Sequence, residues 1–273
     1  MTQRFSFHDR ALTIVGILNV TPDSFSDGGR FVDLATAVRH AEQMVGDGAH
    51  LVDIGGESTR PNAADVDTAT ELQRVLPVVT ELARRGVPVS IDTRRPAVAE
   101  ACLDAGACVV NDVGGLRDSA MVNLVAAAQV PVVVMHTPAP DLASTHAFGG
   151  YVDVVADVAL FLRVQAAIAA AKGIVETVLD PGLGFGKSVR DNVQIIRRLD
   201  ALTTIAPVLV GASRKRFIGS ISGVPDAADR DPATIAVHLR CVINGAAALR
   251  VHDVAGHLQA INAWQAIDRA EYR

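Results

Sequence analysis

Asp180 ends a short apolar run, Thr177-Val178-Leu179-Asp180, and a glycine-rich stretch follows it, Pro181-Gly182-Leu183-Gly184-Phe185-Gly186-Lys187. A carboxylate at the tip of a buried strand, with such a loop behind it, is how a parallel sheet presents an acid to a ligand. Residues 182–188 come close to a phosphate-cradling pattern, but Pro181 stands where the first glycine of that pattern belongs. Polar residues recur at the ends of other apolar runs: Asn19, Asp53, Asp92, Asn111, His136, the Ser213-Arg214-Lys215 stretch, Arg250 and His252. An ionised carboxylate only accepts hydrogen bonds, whereas a side-chain amide donates and accepts, so this set suits a flat, donor-rich heterocycle with Asp180 on a guanidine-like edge. The cations Arg214, Lys215, Arg250 and His252 gather near the C-terminal end and suit an anion, as do the first amides of a helix beginning just after Asp253. There is no G-x-S-x-G, H-E-x-x-H or Cys-x-x-Cys. Ser24 and Ser213 have no base evident in the sequence, so a covalent nucleophile is not indicated.

Apolar runs at 12–18, 51–54, 88–91, 108–110, 131–135, 177–180, 207–210 and 248–251 predict strands. Helical spacing falls between and after them, at about 33–47, 68–85, 96–105, 119–128, 152–172, 190–201, 232–246 and 254–269. Eight alternating units in 273 residues, with no linker or break in composition, predict a single (β/α)8 barrel domain over residues 1–273 rather than a doubly wound sheet with a second domain. In a barrel the strand tips converge on one mouth, which would bring the polar residues together. The breaker-rich loop around Phe25, residues 20–30, is placed to close over a ligand.

With 49% apolar but only 4% aromatic residues, the core must come from Ala, Val, Leu and Ile, as suits parallel strands under helices. A net charge of -5 gives no global attraction to nucleic acid or anionic membranes, so any basic site is local. Cys102, Cys108 and Cys241 lack metal-ligand spacing and read as free thiols in a reducing compartment, the cytoplasm by default. Residues 1–10 hold no apolar leader segment, and no later run is expected to be long and apolar enough to span a bilayer.

Residues 16–29, Gly-Ile-Leu-Asn-Val-Thr-Pro-Asp-Ser-Phe-Ser-Asp-Gly-Gly, resemble the first signature of the dihydropteroate synthases of folate biosynthesis. In order follow Asp53-Ile54-Gly55-Gly56-Glu57-Ser58-Thr59-Arg60-Pro61, Ile91-Asp92-Thr93, Asn111-Asp112-Val113, Met135-His136, the 179–187 stretch, Ser213-Arg214-Lys215 and Arg250-Val251-His252-Asp253. The resemblance implies a transferase that joins para-aminobenzoate to the pyrophosphate ester of 6-hydroxymethyl-7,8-dihydropterin and releases pyrophosphate. It also implies magnesium (Mg2+) on the leaving group, a homodimer and sensitivity to sulfonamides. By residue-wise match, Asp92, Asn111, Asp180 and Lys215 would bind the pterin's polar edges, Met135 and Phe185 would line its ring, and Arg250 would stack on it. Asn19, Arg60, Arg250 and His252 would serve the pyrophosphate, Asn19 also meeting the metal. Phe25, Thr59, Arg60, Pro61, Lys215 and Arg216 would shape the aminobenzoate pocket. The residues implied in catalysis are Asn19, Asp92, Lys215, Arg250 and His252.

Two stretches depart from the pattern. Thr137-Pro138-Ala139-Pro140 stands where many relatives carry a larger residue and a glycine, and Arg216 where many place a serine, leaving a backbone N–H there for the aminobenzoate carboxylate. The rival readings are a pterin-dependent methyltransferase barrel of the methyltetrahydrofolate type, which would lack the 21–29 and 59–61 loops, and a non-catalytic pterin-binding homologue.

Overall fold

The computed structural model describes residues 4–21, 34–57, 66–139, 144–145, 148 and 150–268. Among them the strands are β1 (Thr13–Asn19), β2 (Leu51–Gly55), β3 (Val89–Asp92), β4 (Val109–Asp112), β5 (Val132–Met135), β6 (Thr177–Asp180), β7 (Leu209–Val210) and β8 (Ala248–Val251). They form one parallel sheet in the order β6-β5-β4-β3-β2-β1-β8-β7. The two ends meet: Leu179 bridges to Val208, and Leu179 N–H donates to Pro207 O at 2.8 Å. The sheet is thus an eight-stranded barrel of the (β/α)8 type, as the alternation predicts.

Around it run α1 (Leu34–Gly46), α2 (Thr68–Arg84), α3 (Pro96–Asp104), α4 (Ser119–Ala128), α5 (Val154–Ala171), α6 (Val189–Arg197), α7 (Asp200–Thr203), α8 (Arg216–Ser222), α9 (Asp231–Ile243) and α10 (Val254–Asp268). Several starts are fixed by caps: Asp118 takes the Ala120 N–H at 2.8 Å, Asp153 takes those of Val155 and Ala156, and Ser188 and Asp191 form a reciprocal box at the head of α6. The predicted helix at 190–201 divides into α6 and α7, and α8 is an element the sequence reading lacks. Only seven residues long, it ends on Gly223 at φ 75° and is too short to show a repeating apolar face.

One correction concerns α5. By length and composition this 18-residue helix, mean hydropathy 1.8, is apolar enough to cross a membrane, contrary to expectation. Its residues Val154, Val155, Val158, Leu162 and Ala169 are buried, and it packs on β5 and β6. Part of the apolar excess is thus the buried face of a barrel helix, while Leu160, Val164 and Ile168 lie on its exposed face.

Two apolar layers result. The larger lies between the strands and the helix ring; the smaller fills the barrel, with Val15, Leu51, Val109, Val133, Val178, Leu209 and Ala248 joined by Phe5 and Phe7. The Phe5 and Phe7 rings meet edge to face at 5.2 Å, and Phe7 N–H donates to buried Glu176 at 3.0 Å, so the N-terminal segment seals one end. All three cysteines are buried free thiols, and burial pushes Cys102 and Cys241 up to about 12 and Cys108 to about 11, leaving them unreactive.

Candidate active site

Successive side chains on a strand alternate between its faces, so the residue two positions beyond each interior apolar residue shares its inward direction. From Leu51, Val109, Val133, Val178, Leu209 and Ala248 that step leads to Asp53, Asn111, Met135, Asp180, Gly211 and Arg250. The mouth of the barrel is therefore an inward layer of polar residues seated on an apolar one.

Arg250 lies at its centre. Its Nε donates to Asp53 Oδ2 at 2.6 Å and its Nη2 to Asp92 Oδ2 at 2.7 Å, while Asn111 Nδ2 donates to the same Asp53 oxygen at 3.0 Å. Two carboxylates on its edge fix the plane of the guanidinium. Burial opposes the Arg250 charge, but the carboxylates hold its pKa above the ordinary value, while burial pushes Asp92 up to about 7 against the pull of Arg250. Asp180 Oδ1 accepts the Gly182 N–H at 2.7 Å, and burial raises its pKa. Asp53 Oδ1 and Asn111 Oδ1 are buried acceptors without a hydrogen-bond partner among the described residues. Inward Gly55 and Gly211 keep the layer open: a Cβ on them would sit 3.5 Å from Asp92 Oδ2 and 3.7 Å from Asp180 Oδ2.

On the next wall, Lys215 Nζ donates to Leu183 O and lies 4.7 Å from the centre of the Phe185 ring. Burial pushes its pKa down to about 8, with Asp180 opposing. The loop carrying Leu183 and Phe185 is braced from behind. Lys187 Nζ reaches Gly182 O at 2.9 Å, Phe185 O at 3.1 Å and His136 Nδ1 at 3.0 Å, so it binds the loop's own carbonyls and the near-match to a phosphate cradle has a structural explanation. Gly182, at φ 64°, must be glycine, since a Cβ would stand 1.9 Å from His136 O. Beyond Arg250, half-buried His252 has its Nδ1 2.9 Å from Ser213 Oγ, which also accepts the His252 N–H at 3.2 Å. The geometry thus joins an acceptor-rich floor to a cationic wall.

Three strand-end residues serve other purposes than the sequence suggests. His136 has the opposite parity to Met135 and packs edge to face on Phe161 at 5.1 Å; burial pushes its pKa down to about 2. Arg214 turns to Asp231, its Nε at 2.9 Å and Nη2 at 2.6 Å, and is not a free cation of the anion side. Asp253 takes the Gly256 N–H at 2.9 Å, occupying one of the helix-start amides that were expected to face a ligand.

A family model, "Pterin binding enzyme", matches residues 15–252. Dihydropteroate synthase of Mycobacterium leprae (strain TN) is 45% identical over 263 residues, 92% of this chain and 93% of that protein. The structure of Xanthomonas albilineans dihydropteroate synthase with 4-aminobenzoic acid superposes with a TM-score of 0.88 at 44% identity, covering 94% of this chain and 93% of that one. The same organism's enzyme in complex with 7,8-dihydropteroate gives 0.85 at 42% identity, covering 97% and 95%. The chain belongs to the dihydropteroate synthase family.

Of the residues carried over from that family, Asp92, Asn111, Met135, Asp180, Phe185, Lys215 and Arg250 meet around one mouth, with His252 and half-buried Asn19 at the ends of β8 and β1. Phe25, Thr59, Arg60 and Pro61 lie outside the described residues. Arg216 begins α8 with an exposed side chain. The departing loop after β5 is held by Arg117, which donates to Thr137 Oγ1 at 2.9 Å and to Thr137 O at 2.5 Å, while Pro138 packs on Gly186. Sequence reasoning gave no role to Ser213 as the partner of His252, or to Asp53 as the acceptor shared by Arg250 and Asn111. The period-two step from Leu51 to Asp53 is the signal that could have identified the latter.

Among the described residues no three His, Cys, Asp or Glu side chains gather as a metal site. Asn19 offers one oxygen donor, which fits an octahedral ion that keeps several waters and takes other ligands from a substrate's phosphates.

Proposed function

We infer that this family member is a transferase that condenses 6-hydroxymethyl-7,8-dihydropterin pyrophosphate with para-aminobenzoate, giving 7,8-dihydropteroate and pyrophosphate. The observation that carries the reading is the pair of orphan buried acceptors, Asp53 Oδ1 and Asn111 Oδ1, beside Asp92 and Asp180. A floor with more acceptors than the protein's own donors satisfy calls for a flat ligand with several N–H groups, as a pterin has. Asp180, Asp92 and Asn111 hold its polar edge, Lys215 reaches a ring acceptor, and Met135 and Phe185 line the ring. Arg250, its edge taken by two carboxylates, offers its face for stacking.

The pyrophosphate falls to Asn19, Arg60, Arg250 and His252, with Asn19 the protein oxygen for Mg2+, which supplies charge neutralisation of the leaving group when bound. The arylamine is neutral at pH 7, so the residues need only hold the two substrates in line and exclude water; no strong base is called for. Lys215, the Arg216 N–H, Phe25, Thr59, Arg60 and Pro61 form the aminobenzoate pocket, where sulfonamides compete. The same reading makes the protein a homodimer of the cytoplasm, working on small molecules and not on nucleic acid or membranes.

Pyrophosphate release is the test, measured with the pterin ester and magnesium, with and without para-aminobenzoate. Release that depends on aminobenzoate, with dihydropteroate formed, is expected. Tight pterin binding without turnover would leave a non-catalytic binder instead.

A further inference from the structure

Helix α9 grips the loop after β7 along one face. Asp231 holds the Arg214 side chain, Thr234 Oγ1 accepts the Arg214 N–H at 3.3 Å, and His238 Nε2 accepts the Ala212 N–H at 3.2 Å. Arg230, just before the helix, donates to Arg214 O at 2.9 Å. Arg214 sits at φ 59°, a left-handed conformation that a branched chain of bonds of this kind is needed to hold.

His238 passes the connection on. Its Nδ1 lies 2.8 Å from His257 Nε2 on α10, and His257 Nδ1 lies 2.5 Å from Asp253 O. A carbonyl only accepts, so His257 Nδ1 carries the hydrogen and its Nε2 is an acceptor; His238 Nδ1 must then donate, leaving His238 Nε2 for the Ala212 N–H. Every ring nitrogen is used and each ring has one permitted tautomer. Both rings are buried, at 0% and 1% exposure, and burial lowers the pKa of each, consistent with a neutral pair. Protonating either ring would turn two N–H groups on each other.

The two ends of this relay bracket another contact. Ala212 precedes Ser213 and Asp253 follows His252, and Ser213 Oγ is the atom that meets both Nδ1 and N–H of His252. We propose that the His238–His257 pair is a positioning device: it sets the loop after β7 against the loop after β8 and so fixes Ser213 on His252. Neither histidine touches the mouth itself; they act through the backbone on each side of Ser213 and His252. The kinetic part of this inference rests on the reading of His252 as a pyrophosphate ligand.

His238→Leu removes both bonds of its ring. The KM for the pterin pyrophosphate is expected to rise about tenfold, the equivalent of one mislaid hydrogen bond, with the KM for aminobenzoate unchanged. On a His252→Ala background the same substitution should change nothing further. His238→Gln, which keeps one acceptor and one donor, should recover most of the loss. Independently of activity, the ring 15N resonances of His252, assigned by their absence from His252→Ala, should move in His238→Leu. Unmoved resonances, or an equal KM effect on the His252→Ala background, would overturn the positioning role. A His252→Ala enzyme with an unaltered KM would instead overturn the reading of the site, while the resonances still decide the relay. Should His238→Leu not fold, His257→Leu, which removes both bonds of the partner ring, is measured in its place with the same expectations.

Discussion

The lower and upper halves of the barrel interior are built on the same inward-facing positions, two residues apart, and they behave as different materials. Below, Leu51, Val109, Val133, Val178 and Ala248 pack with Phe5 and Phe7 into an apolar plug, beside which buried Glu176 is spent on a backbone N–H and on His8 at 3.6 Å. Above, each of those strands except β5 carries a polar group, and the groups bind one another incompletely, leaving Asp53 Oδ1 and Asn111 Oδ1 unmet. The lower layer has every reason to be stable and none to be reactive. Other buried polar atoms also lack a partner among the described residues, Thr13 Oγ1 and Ser90 Oγ included, but those of the upper layer stand beside Asp92 and Asp180 at the mouth, where a ligand can add what the protein withholds.

That contrast is sharpest at β6, where Val178 and Asp180 face the same way. Asp180→Asn keeps the size of the side chain and an oxygen for the Gly182 N–H, but replaces one acceptor with a donor. A fall in kcat/KM of about a hundredfold or more is expected, from a lost charged hydrogen bond plus donor-donor repulsion, with the melting temperature unchanged. Steady-state kinetics beside thermal unfolding checks it; equal activity would remove Asp180 from the site. In the lower layer the signs reverse. Leu51→Ala, at a side chain only 1% exposed, is expected to cost about 2–5 kcal/mol of stability in urea unfolding while the folded fraction keeps its kcat/KM. If both substitutions moved activity and stability together, the two halves would not be separable.

The sequence makes this division legible to different depths. Alternation of apolar runs and helical spacing finds all eight strands within a residue or two, because a strand buried on both faces must be apolar throughout and stops where a polar residue appears. The same rule misleads at His136 and Arg214, since a polar residue at a strand end marks the end without giving its direction. His136 points outward to Phe161, and Arg214 turns away to Asp231 because its backbone is left-handed. The pairing of Ser213 with His252 is hidden for another reason, and that of Asp53 with Arg250 is only half legible. The period-two step turns Asp53 inward, but the pairs are 39 and 197 residues apart and only closure of the barrel brings them together. The His238–His257 pair was likewise two unremarked residues on separate helices.

The rim offers the subtlest comparison, because there a carboxylate is fully paired where those of the floor are not. Glu57, just past β2, accepts from Arg95 Nη1 at 2.8 Å and from Arg94 at 3.3 Å, and Arg95 also reaches Glu71 at 2.5 Å. Burial pushes the Glu57 pKa up, but the hydrogen bonds and charges of Arg95 and Arg94 outweigh it and hold it at about 2, against an ordinary value of 4.5. A carboxylate depressed on folding releases its proton more readily in the native state, so its stabilisation is fully present above about pH 4.5 and is lost as pH falls through about 2. The stability difference between the wild-type protein and Glu57→Gln should therefore be constant from neutrality down to that upper bound and then shrink. Part of the site is open to solvent, so the plateau should be modest and should diminish with added salt. Urea midpoints of the two proteins at a series of pH values measure it. A difference that stays flat to the acid end would mean that Glu57 is held by shape rather than charge, and the rim would then resemble the plug below more than the floor beside it.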